Sequence, residues 1–76
     1  MRLKELVQLR QKCKISQKEL AKYLDVSVPF VSMVENGKRD MPQGTYKNWI
    51  QGLMVLRSQK IQEAREFLNE MDIDDE

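Results

Sequence analysis

The sequence predicts an all-α fold, a compact bundle of four to five helices. Three observations carry this expectation. Apolar residues recur at the i, i+3, i+4, i+7 spacing of a helix face in several separate segments. Two serines, Ser16 and Ser27, stand where helix N-caps belong. The run from Arg57 to Met71 contains neither Pro nor Gly and has high helix propensity.

The first helix is expected from about Arg2 to Lys12, with Leu3, Leu6, Leu9 and Cys13 on its inner side. The second, Gln17 to Leu24, opens on a capping box. Ser16 and Glu19, three residues apart, satisfy free backbone N–H groups reciprocally. Leu20, Ala21 and Leu24 then recur at helical spacing, and Asp25-Val26-Ser27 breaks the pattern. Ser27 caps a third helix over about Val28 to Asn36, whose first turn tolerates Pro29 because N–H groups there have no intrahelical acceptor. Val31 and Val34 make its buried stripe, and Gly37 is free to turn left-handed and end it. Two short helices joined this tightly are what a helix-turn-helix needs to lay one helix in the major groove of DNA, although a plain αα-hairpin fits the same spacing.

A fourth helix starts around Gly44 or Thr45 and runs towards Leu56, with Tyr46, Trp49, Ile50 and Leu53 on its apolar stripe and Trp49 in the core. Beyond it, Ile61, Ala64, Leu68 and Met71 follow an a/d alternation. The sequence leaves open whether this is a fifth helix or a continuation of the fourth. The gap in the apolar pattern at 57–60 favours a turn. Three parts follow: a helix-turn-helix domain over residues 1–56, a C-terminal helix over 57–71, and an acidic tail over 72–76 expected to be disordered.

Seventy-six residues make one domain, and a chain this small buries only about 60% of its unfolded surface. Its stability is thin, so a partner subunit helps. The longest apolar runs fall far short of the 18 residues a membrane span needs. MRLKELVQLR is charged and periodic, unlike a signal peptide. The single cysteine, Cys13, has no internal partner and reads as a small buried hydrophobe. With no His and no clustered thiols, neither a metal site nor another cofactor is expected. An enzyme is not expected either, since no acid/base pair or Gly-rich phosphate loop is visible.

Net charge conceals an asymmetry. Residues 1–60 carry twelve Lys or Arg and five Asp or Glu, whereas residues 61–76 carry one Arg and seven acids, leaving +1 for the chain. A basic body beside a helix-turn-helix is the electrostatic footprint of a polyanion binder, with the acidic end held away from it.

Ser16-Gln17, Leu20-Ala21, Ser27, Ser32 and Glu35-Asn36-Gly37 together carry a more specific signal. From about Leu6 to Leu53 the chain resembles the phage lambda-type repressor and Cro family of helix-turn-helix regulators. It departs from that pattern at Asp25, where the family usually has Gly, and at Asp40-Met41-Pro42-Gln43-Gly44 before the fourth helix. The resemblance implies that Gln17 anchors a phosphate and that the outer positions of helix three, Val28, Pro29, Ser32 and Met33, read bases beside the cap Ser27. Asn36 and Lys38 match positions that hold the DNA backbone. It also implies an ion pair between Arg10 and Glu35 that braces the recognition helix.

The reading face is unusually apolar, with no Gln, Asn or Arg for bidentate base contacts. Specificity is therefore expected from thymine methyl contacts, from Lys38 and Arg39, and from DNA shape. Phe30 is ambiguous, lying against helix two or leaning towards the groove. A single helix-turn-helix buries too little to find its site tightly, so a homodimer is expected, with Ile61, Ala64, Leu68 and Met71 as its seam. Alternatively these residues fold back on their own domain.

The sequence thus reads as a cytoplasmic, sequence-specific regulator of transcription. It is expected to bind a two-fold double-stranded DNA operator, with half-sites about 34 Å apart, and to repress by occlusion, with activation by touching polymerase also open. A protein-binding adaptor on the same fold, an antitoxin or antirepressor docking a protein partner at its C-terminal helix, is the alternative.

Overall fold

The computed structural model describes residues 3–71, which form four helices: α1 (Leu3–Lys12), α2 (Gln17–Leu24), α3 (Val28–Glu35) and α4 (Thr45–Met71). The expected start of the first helix at Arg2 and the tail at 72–76 lie outside the described residues. Leu6, Ile15, Leu20, Ala21, Val31, Val34, Trp49 and Leu53 form one core, each no more than 2% exposed. α2 is the hub, packing on both α3 and α4, while α1 closes the bundle against the same two helices.

Local chemistry sets the helix boundaries. Ser16 is extended, its hydroxyl accepts the Glu19 N–H at 3.0 Å, and Glu19 Oε1 accepts the Ser16 N–H at 2.8 Å, completing the capping box. Ser27 repeats the cap at α3, its Oγ accepting the Phe30 N–H at 3.1 Å.

The first three helices all end in the same Schellman geometry. Ile15 N–H reaches the Arg10 carbonyl and Lys14 N–H the Gln11 carbonyl; Val26 and Asp25 repeat this on Ala21 and Lys22, and Lys38 and Gly37 on Met33 and Val34. Each closure needs one left-handed residue, and these are Lys14 (φ 60°), Asp25 (φ 60°) and Gly37 (φ 74°). Asn36 therefore caps α3 instead of extending it. Cys13, expected inside, is half-buried at the rim of the core, because α1 has already ended at Lys12.

α4 corrects the sequence reading. No turn interrupts residues 57–60, and the helix runs unbroken for 27 residues. Arg57, Ser58, Gln59 and Lys60 lack apolar side chains, but helix propagation needs backbone bonds and compatible residues rather than a continuous apolar face. Lys60 instead reaches Glu19, Nζ lying 2.8 Å from Oε2, so the segment expected to be a turn is tied to the start of α2. Tyr46, expected on the buried stripe, is 38% exposed. Gly52 has a packing reason: a Cβ there would stand 2.8 Å from Tyr23 Cδ1, so only glycine lets α2 approach this closely.

Candidate nucleic-acid interface

With Val31 and Val34 buried, the opposite side of α3 faces solvent. Val28 is 39% and Met33 38% exposed, and Pro29 between them is exposed too. Ser32 is half-buried, and its Oγ accepts a 3.3 Å hydrogen bond from Asn36 Nδ2. Ser27, Asn36, Lys38 and Arg39 are all exposed. Six of these residues sit on α3 or its two caps, and Lys38 and Arg39 follow directly after the left-handed Gly37. They share one end of the molecule around an apolar ridge.

Behind the ridge stands a polar clamp. Arg10 donates from Nε to Glu35 Oε2 at 2.6 Å and from Nη2 to Glu35 Oε1 at 3.1 Å, a two-point grip across α1 and α3. Its third nitrogen, Nη1, donates to the Ile15 carbonyl at 2.8 Å. The two side chains are 11% and 5% exposed, so the pair is largely removed from water. Gln17 Nε2 joins it, donating to Glu35 Oε1 at 2.8 Å. One carboxylate thus holds the starts of α2 and the loop after α1 against the end of α3. The Gln17 side chain is oriented by Glu35, while its backbone N–H lies in the first turn of α2, where anions are favoured.

Phe30 is half-buried against the core, and the Arg39 guanidinium lies over its ring, 4.9 Å from the centroid. Such a cation–π contact is worth about 0.5–1 kcal/mol at an exposed site. It keeps the Arg39 charge beside the exit of α3. Neither this stacking nor the Gln17–Glu35 bond is foreseeable from spacing, because both join residues in different elements.

The C-terminal candidates lie elsewhere. Ile61 is 42% and Leu68 60% exposed, and Ala64 is exposed, so they do not fold back on the domain. Met71 ends α4, and its side chain is outside what the structure describes.

Two short capped helices crossing through a three-residue turn, the second with one side free, define a helix-turn-helix protein. A helix-turn-helix family model of the lambda repressor and Cro type matches residues 6–46, and the chain belongs to that family. It is accordingly a DNA-binding regulator of transcription. No curated protein and no solved structure matches it significantly. Among the described residues, no helix is long and apolar enough to cross a membrane.

Proposed function

We propose that the protein is a cytoplasmic repressor that binds a two-fold operator as a homodimer, each copy laying α3 in the major groove. The observation that carries this is the outer face of α3, where Val28, Pro29 and Met33 stand free while the Arg10–Glu35 pair fixes the helix from behind. Val28, Pro29 and Met33 pack on thymine methyls, and Ser32 reaches a base edge or phosphate. Gln17, Ser27, Asn36 and Lys38 hold the backbone, and Arg39 swings from Phe30 to the DNA.

Ile61, Ala64, Leu68 and Met71 supply the seam between copies, supported by the exposure of the first three. Selection of binders from a randomised duplex pool, followed by footprinting, tests this reading. It expects a two-fold sequence, A·T-rich where α3 lies, protected over half-sites about 34 Å apart. An unenriched pool would contradict it.

The second reading, a protein-binding adaptor, draws on Phe67 and Leu68, 62% and 60% exposed on α4. It expects duplex binding to be absent at low salt.

A further inference from the structure

Because α4 is continuous, residues on both sides of 57–60 share one register. Ile50, Met54, Arg57, Ile61, Ala64 and Leu68 fall alternately four and three residues apart, the spacing of a coiled-coil seam. Met54 is 64%, Ile61 42% and Leu68 60% exposed, so most of this seam stands in water. It runs along a different side of the helix from Trp49 and Leu53, which face the core. Among the described residues, the core partly covers Ile50 at its start and leaves Met54, Ile61, Ala64 and Leu68 exposed, and an apolar stripe of this length marks an interaction surface.

Charge selects the occupant. From Thr45 to Lys60 the charged residues of α4 are Lys47, Arg57 and Lys60, with no acid. From Ile61 to Met71 they are Glu63, Glu66 and Glu70 with Arg65 alone. A parallel pair would set basic half on basic half, acidic on acidic, and Arg57 against itself inside the seam. An antiparallel pair sets each basic half along the other's acidic half and carries Arg57 away from its counterpart. It also places the two helix-turn-helix bodies, which pack on α4 at Trp49, Leu53 and Leu56 and reach it as far as Lys60, towards opposite ends of the shared rod.

We propose that α4 pairs with α4 of a second copy, antiparallel and centred near Ile61. This deepens the homodimer proposed above and rests on it. Orientation is read by a nitroxide at Lys47, an exposed position ahead of the span from Gln51 to Met71 over which the two helices overlap, attached through Lys47→Cys in a Cys13→Ser background. Centred on Ile61, the two labels are separated by twenty-eight residues of helix, about 42 Å at 1.5 Å per residue. A parallel pair holds them within roughly 20 Å, given axes 8–10 Å apart.

A pulsed-dipolar distance near 42 Å, with sedimentation at dimer mass, is the expected result. A dimer with the short distance overturns the orientation and leaves the homodimer standing. A monomer at 100 μM, a concentration chosen well above that of a functional dimer, overturns both. Duplex binding on the same labelled sample reports separately whether the DNA-binding reading survives.

Discussion

Arg10 and Glu35, twenty-five residues apart in sequence, are joined by two nearly parallel hydrogen bonds in a site only 11% and 5% exposed. The pair fastens α1 to the last residue of α3, and so holds the recognition helix without using any group on its outer side. Arg10→Met leaves the Glu35 carboxylate largely buried with only Gln17 to answer it. The expected cost is about 3 kcal/mol. At roughly 4–8 °C per kcal/mol for a domain of this size, the melting temperature falls by more than about 10 °C. A thermal melt checks this, and a shift below about 3 °C would mean that water already solvates the carboxylate.

Asp25 closes α2 at φ 60°, a conformation that costs most L-residues about 1–2 kcal/mol and Gly little. Asp tolerates it better than most, so Asp25→Gly is expected to stabilise by about 0.5 kcal/mol. Its side chain is exposed and takes no part in the core, so duplex affinity stays the same. Chemical denaturation with an anisotropy titration measures both quantities.

Gly52 and Tyr23 should be coupled. Gly52→Ala gains about 1 kcal/mol of helix propensity but drives a Cβ to 2.8 Å from the Tyr23 ring. In the natural chain the collision cancels or exceeds the gain. In a Tyr23→Ala background the same substitution stabilises by about 1 kcal/mol. A double-mutant cycle with no interaction energy would show that the ring moves aside freely.

Lys60 and Glu19 make a pH-dependent contribution. The hydrogen bond from Lys60, followed by that from the Ser16 N–H, holds the Glu19 carboxyl below its ordinary value of 4.5. A carboxyl with a lowered folded pKa adds stability that is complete above 4.5 and is lost as pH falls through the folded value. The side chains are 32% and 40% exposed, so solvent screening limits the pair to a few tenths of a kcal/mol. Lys60→Ala therefore melts slightly lower at pH 7, and the difference shrinks towards zero at pH 3. A difference that persists at pH 3 would place the effect in packing of the lysine stem.

Most of the bundle is readable in advance because its signals are local. Ser16 with Glu19, Ser27, Pro29 and Gly37 fix α2 and α3 within a residue or so. What escapes the sequence is set by distance or by exceptions to residue preference. Ile15 lies outside every helical stripe, yet the Schellman closure at Lys14 turns it into the core. Lys14 and Asp25 adopt a conformation that sequence associates with Gly. The unbroken α4 is hidden because Lys60, in its apolar gap, finds its partner forty-one residues back. Within the interface, the exposed face of α3 follows from the burial of Val31 and Val34. The Phe30–Arg39 and Gln17–Glu35 contacts follow only from the folded arrangement.

The most direct measurement is the affinity for a random duplex between 50 and 200 mM salt. With α3 of both copies in the groove and Lys38 and Arg39 of each near phosphates, about four counterions are released, and affinity falls about a hundredfold over that range. No detectable binding at 50 mM, or an affinity unchanged at 200 mM, would contradict the account.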